Sequence, residues 1–362
     1  MNQLSGYPFD SIVLNGRTVK LSRLAEEKAR TSFEAETLAF LTAWLGGEEF
    51  FRQQTSGSTG QPKRIALSRK QLVASAQRTM SQLPVRKNDT ALVCLDTRYI
   101  AGKMMLVRAL THNLRIVAVE PSANPLSRLA EKVDFVAVVP YQMSRMLSES
   151  LYEAQHINTI LIGGGPVTGQ ITSTLRNLPN AVYATYGMTE TASNIALQRL
   201  SGPHPDKAFR PLPGIKVYSN KQGCLVIDVP ELAEPVVTND VAELYADGTF
   251  RIIGRIDNVI NSGGIKIFPE ETETIAAVIF EQLGIASEFI IGGLPHPELG
   301  QQAVLVMEGP PLEHGAEQLL VLRLKEKLST SAPRNIYYLP AFKRTPNGKV
   351  MRRETLMMLG GG

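Results

Sequence analysis

Residues 91–119 read ALVCLDTRYIAGKMMLVRALTHNLRIVAV, and this stretch decides the fold. Two apolar runs, 91–95 and 115–119 (apolar after Arg115), flank a segment over 101–111 with the spacing of a helix. Runs that are apolar on both faces suit buried strands, and parallel strands need a crossover of this kind between them. The pattern repeats outward through DFVAVV (134–139), TILIGG (159–164) and VYATYG (182–187), each flanked by helical segments. It predicts an α/β chain whose large N-terminal domain is a doubly wound, mostly parallel sheet.

Upstream, SIVLNGRTVKL (11–21) reads as a hairpin around Asn15-Gly16. Thr31 with Glu34 forms a capping-box pair before Leu38, Leu41 and Leu45, and Gly46 closes that helix. Ser68 with Gln71 opens another helix carrying Leu72, Ala76 and Met80. After Ser193 the texture changes. Residues 201–214 hold four prolines and read as a connector. Short strands at 223–229, 241–245 and 249–254 give a small β-rich subdomain. A helix over 269–283, strands at 288–294 and 302–308, a helix over 314–328 and a strand at 335–340 form a final α+β unit. The boundary falls at Asp257, with residues 1–256 as the large domain and 257–362 as a small mobile lid.

Bulk properties narrow the function classes. With 362 residues, 43% of them hydrophobic, the chain can bury the cores of two domains. A net charge of +4 with no dense basic block demands no nucleic acid. Cys94 and Cys224 sit in apolar runs as small buried hydrophobes, and the five histidines have no zinc spacing. No secretory signal is visible and no apolar run nears the roughly 18 residues of a membrane span, so a cytoplasmic location is expected.

Five motifs carry chemistry. Thr55-Ser56-Gly57-Ser58-Thr59-Gly60-Gln61-Pro62-Lys63 combines hydroxyls with glycines that let backbone approach an anion, so it reads as a phosphate loop or as a solvated turn. It is not the common nucleotide loop, because Gln61 and Pro62 separate Gly60 from Lys63. Tyr186-Gly187-Met188-Thr189-Glu190 follows a strand, where ligands of open α/β sheets sit. Glu190 there suits a magnesium ion bridging to phosphate, or merely a helix start. Gly163-Gly164-Gly165-Pro166 offers bare backbone to a base or sugar. Asp240 in Thr238-Asn239-Asp240 can accept from ribose hydroxyls or terminate a turn. Arg344-Thr345-Pro346-Asn347-Gly348-Lys349 is a tight turn that presents a lysine.

The set TSGSTGQPK, GGGP, YGMTE, TND, GRIDNVINSGGIKIFPEE and TPNGK, in that order over about residues 50–355, closely resembles the acyl-adenylate-forming superfamily. The resemblance implies two steps: a carboxylate and ATP give acyl-AMP and pyrophosphate, then a thiol such as that of CoA displaces AMP. It implies that Thr55, Ser56, Gly57, Ser58, Thr59, Gly60 and Lys63 hold the outer phosphates. Gly164, Gly165 and Pro166 would line an adenine slot, with Tyr186 and Gly187 beside the base. Thr189 would meet the α-phosphate, Glu190 would ligate Mg2+, and Asp240 with Arg255 would hold the ribose. Lys349 would reach the reacting oxygens, Asp257 would be the hinge, and Gly263 with Gly264 would clear a path for CoA.

Three departures stand out. The segment before the phosphate loop is short, which implies a trimmed N-terminal subdomain. Tyr99 occupies a position where the superfamily often has histidine, and Asn239 replaces a glycine. The acyl pocket is expected to involve Tyr99, Gly102, Lys103, Arg108 and Ser193. Lys103 and Arg108 lie five apart, so they share no helix face well. One of them turned inward would suit an acid with a second carboxylate, whereas on a solvated face neither has a role. A domain loading a carrier protein would share these motifs. A silent nucleotide-binding regulator would not need Glu190 and Lys349.

Overall fold

A computed structural model describes residues 7, 9–54, 64–127, 129–167, 169–344 and 350–359. Among them, nine strands build one large sheet. Its order is Arg210–Pro211, Asn194–Arg199, Ala181–Gly187, Thr159–Ile162, Phe135–Val138, Thr90–Val93, Arg115–Ala118, Ser11–Leu14 and Arg17–Lys20. The pairings from Ala181–Gly187 across to Ser11–Leu14 are all parallel, and those at the two edges are antiparallel.

Side-chain alternation along the parallel strands explains why both faces are apolar. Ala91, Val93, Ile116, Ala118, Phe135 and Ala137 join the core beneath the helices Ser32–Leu45, Arg69–Met80 and Ile100–His112. Their neighbours Leu92, Cys94, Val117, Val136 and Val138 join a second core with Met143, Met146, Ala154 and Leu175 from helices on the other face. Each buried Leu, Ile, Val or Met contributes about 1.5–3 kcal/mol, so a strand that feeds two cores must be apolar throughout. Gly102 sets how closely one helix approaches: a Cβ there would lie 2.5 Å from the Asp96 carbonyl oxygen.

Local signals act as their chemistry dictates. Asn15 and Gly16 take φ of 47° and 76° between Leu14 and Arg17, the paired positive values of a tight hairpin turn. Thr31 Oγ1 accepts from the Glu34 N–H, and Ser68 and Gln71 close a full capping box. The sheet extends further than expected, however. Asn194–Arg199 continues it past residue 187, and Arg210–Pro211, inside the proline-rich connector, pairs with Ala196 and Leu197. A proline is tolerated there because an edge strand can dispense with an N–H.

Lys216–Ser219, Cys224–Asp228, Val236–Leu244 and Phe250–Arg255 form a four-stranded antiparallel sheet. Its residues Leu225, Ile227 and Phe250 pack into the first core. Beyond residue 258 a five-stranded sheet has its own cores. Ile260, Leu305, Phe280 and Leu324 meet on the face covered by Pro269–Gln282 and His314–Leu328, and Val304, Val306 and Leu339 meet Leu356 on the other. No helix among the described residues is long and apolar enough to cross a membrane.

Candidate active site

The parallel strand Ala181–Gly187 ends in a turn of 3-10 helix, Thr189–Thr191, before the chain returns as Asn194–Arg199. The return is tight: a Cβ on Gly187 would lie 2.3 Å from the Ser193 carbonyl oxygen. Thr191 Oγ1 accepts from the Met188 N–H (3.2 Å) and donates to the Ser193 carbonyl (2.7 Å), which locks the turn. Glu190 sits on it half-buried, with no hydrogen bond or ion pair among the described residues. Thr189 is its half-buried neighbour.

Behind this turn, four sequence-predicted residues join in one chain of contacts. The Tyr186 hydroxyl donates to Asp240 Oδ2 at 2.6 Å. Arg255 Nη1 donates to Asp240 Oδ1 at 3.4 Å, and its Nη2 to Asp257 Oδ2 at 2.8 Å. Strand register brings this about, since Asp240 and Arg255 are directly paired on neighbouring strands. Burial, and then the adjacent Asp240 carboxylate, push the Tyr186 phenol far above its ordinary range, so it remains a neutral donor. Its ring packs edge-on to Phe250 with centroids 5.4 Å apart. Burial opposes ionisation of Asp257, but hydrogen bonds from Arg255 and Asn239 prevail and lower its pKa. Asn239 Nδ2 donates to Asp257 at 2.9 Å, which gives the residue found in place of glycine a definite task.

Gly163 follows the strand Thr159–Ile162, and a Cβ there would lie 2.4 Å from Thr185 Oγ1. Gly164 takes φ of 83°, and Gly164, Gly165 and Pro166 are exposed beside it. Gly263 and Gly264 form the exposed turn between Ile260–Ser262 and Ile265–Ile267, with φ of 56° and 83°. Residues 55–63 and Lys349 lie outside the described residues. On either side of them, Gln54 pairs with Arg64 across two antiparallel strands, and Arg344 bridges Val350.

The helix Ile100–His112 sends its two cations different ways. Lys103 is half-buried with Nζ 6.0 Å from the Phe40 ring, and burial lowers its pKa. Tyr99 immediately precedes the helix, makes no side-chain capping bond and is half-buried. Arg108 is only 4% exposed. Its Nη2 donates to Ser193 Oγ at 2.6 Å and to Asn194 Oδ1 at 2.8 Å, and Nη1 contacts Met105 Sδ at 3.7 Å. Its Nε is buried without a partner, and no carboxylate pairs with it among the described residues. Burial alone pulls its pKa down to about 10. Sequence reading missed Asn194 and Thr79, which meet around this guanidinium; a lone Asn opening an apolar strand is the only hint they leave.

No group of three or more His, Cys, Asp or Glu suited to a metal exists among the described residues. A single free carboxylate such as Glu190 fits magnesium, which takes one or two protein carboxylates and fills its other positions with substrate phosphates and water.

Comparison with known proteins identifies the family. The family model described as AMP-binding enzyme matches residues 34–249. A solved acyl-CoA synthetase (AMP-forming)/AMP-acid ligase II-like protein from Dyadobacter fermentans is 37% identical, with TM-score 0.61, covering 94% of this chain and 99% of that one. The 2-succinylbenzoate–CoA ligase of Escherichia coli is 28% identical over 70% of this chain and 57% of its own length. A Bacillus subtilis o-succinylbenzoate coenzyme A synthetase, solved with ATP and magnesium ion, shares the fold at 21% identity and TM-score 0.69, covering 84% of this chain and 69% of that one. The chain spans 57% to 69% of the length of the first curated relatives it matches.

Proposed function

Because the chain belongs to the AMP-binding enzyme family, we propose that it is an ATP-dependent acid–CoA ligase whose acid is o-succinylbenzoate. In the first step a carboxylate oxygen attacks the α-phosphorus of ATP and the bond to pyrophosphate breaks. In the second, the CoA sulfur attacks the acyl carbon and AMP leaves.

One observation supports the adenylating chemistry most strongly: the Tyr186–Asp240–Arg255 chain lies close in the sequence, through Tyr186, to Glu190, which has no partner among the described residues, at the carboxyl end of a parallel strand. Asp240 keeps acceptor capacity for ribose hydroxyls, and Tyr186 and the bare backbone of Gly164–Pro166 flank a planar base. Glu190 would hold magnesium, which when bound offsets charge on the phosphates. The reacting carboxylate is already ionised, so the first step needs no general base. It needs cationic groups where charge develops, the task assigned to Lys349, with Thr55–Lys63 holding the leaving pyrophosphate. Asp257, clamped by Arg255 and Asn239, is the assigned hinge about which residues 257–362 move between steps, with Gly263 and Gly264 leaving room for the CoA arm.

The acid follows from Arg108. A buried guanidinium with an open Nε and no counter-ion suits a substrate that brings a second carboxylate, and Ser193 beside it offers a hydroxyl. Lys103, Tyr99 and Gly102 are assigned to the same acyl pocket. Purified protein with ATP, magnesium and o-succinylbenzoate should release pyrophosphate, and addition of CoA should give the thioester. Turnover of simple fatty or benzoic acids with none of o-succinylbenzoate contradicts the assigned acid. No pyrophosphate release with any acid contradicts the reaction.

A further inference from the structure

The guanidinium of Arg108 is held by an amide rather than a carboxylate. Asn194, 8% exposed, accepts on Oδ1 from Arg108 Nη2 at 2.8 Å and from Ser193 Oγ at 3.1 Å, and Thr79 Oγ1 lies 3.1 Å from the same oxygen. The Thr79 proton is shared with the Ser75 carbonyl at 3.0 Å. The other end of the amide, Nδ2, is buried without a partner. Arg108, which can only donate, fixes which way the amide faces, since a flipped Nδ2 would oppose it, whereas the two hydroxyls could turn to accept. The site therefore leaves one buried donor orphaned in order to aim a neutral acceptor at Arg108.

An aspartate would fit the same space and accept the same bonds. It would also neutralise the guanidinium. From this we propose that Asn194 is a positioning and specificity residue. It anchors Arg108 Nη2 without supplying negative charge, so that the non-reacting carboxylate of a dicarboxylic substrate completes the pair. The inference rests on the substrate class assigned above, and it adds the reason that the anchor must be uncharged.

The test compares o-succinylbenzoate with 4-oxo-4-phenylbutanoate, the same molecule without its ring carboxylate, in pyrophosphate release. Asn194→Asp should raise KM for o-succinylbenzoate at least tenfold, while KM for ATP and for the mono-acid stay within about twofold. Its melting temperature should be no lower than that of the parent. Asn194→Ser, which keeps a neutral oxygen, should retain most of the preference for the dicarboxylic acid. Asn194→Asp with undiminished preference overturns the proposal, and so does Asn194→Ser losing as much as Asn194→Asp, because shape rather than charge would then matter. Should Asn194→Asp fail to fold, Asn194→Leu carries the test: loss of the anchor lowers the preference at least threefold, and an unchanged preference overturns the idea. If the parent enzyme itself shows no preference between the two acids, the substrate class fails first, before any variant is made, and the proposal falls with it.

Discussion

Two arginines, Arg108 and Arg352, are drawn out of water in this molecule, and they are treated in opposite ways. Arg352 contacts both oxygens of Glu273 and the Ile291 carbonyl, and lies 3.8 Å from Glu270. Burial opposes its charge, but the Glu273 carboxylate more than restores it, so its pKa is raised. Among the described residues Arg108 has hydroxyl, amide and thioether partners, and burial lowers its pKa. Arg352 completes the small C-terminal unit by tying the helix Arg352–Met357 to the helix Pro269–Gln282. Arg108 costs stability where it stands, which is how a binding group waiting for an anion behaves.

The contrast breaks most visibly by removing each charge. Arg352→Met leaves the part-buried Glu273, whose pKa burial already raises, without its partner and should destabilise the protein by about 1–3 kcal/mol in denaturant unfolding. Arg108→Met should do the reverse. Burial pulls its pKa down from the ordinary arginine value to about 10, and replacing such a buried charge by an apolar side chain is worth about 1–4 kcal/mol, so the free protein should gain stability. The sign follows from proton binding: between pH 10 and the ordinary arginine pKa the unfolded arginine holds more protons than the folded one, so the gain is full below pH 10 and shrinks above it. A melting temperature that drops in Arg108→Met would remove the distinction between the two sites.

A smaller effect is expected where carboxylate and partner both belong to the site. Tyr186→Phe deletes the hydrogen bond to Asp240 and should weaken ATP binding roughly tenfold, with KM for the acid unchanged; a hydrogen bond to a charged group is worth about 1.5–3 kcal/mol. The smallest effect belongs to Asn239→Gly. It removes one donor to Asp257, about 1 kcal/mol, and should alter the thioester half-reaction more than adenylation if Asp257 is the hinge. Single-turnover assays of the two half-reactions measure the difference.

The legible parts of the chain share a physical reason. Strands that feed two cores are apolar at every position past their first residue, so 91–95, 115–119 and 134–139 could be read directly, and the caps at Thr31 and Ser68 are local chemistry. Tyr186, Asp240 and Arg255 were legible through the order of motifs, and strand pairing brings them together. Lys216–Ser219 was not legible, because a short edge strand with mostly exposed side chains leaves no apolar run. Nor were the partners of buried charges. Asn194 lies 86 residues from Arg108 and Glu273 lies 79 from Arg352, and nothing local marks which cation receives an amide and which a carboxylate.

The most direct test is the ratio of kcat/KM for o-succinylbenzoate over 4-oxo-4-phenylbutanoate in pyrophosphate release, measured for the parent and for Arg108→Met. A charge-assisted pair predicts a preference of roughly 10- to 100-fold in the parent. In Arg108→Met it should collapse toward unity through loss on the dicarboxylic side alone. Equal preference in both proteins would contradict the account, because the buried guanidinium would then have no anion to receive.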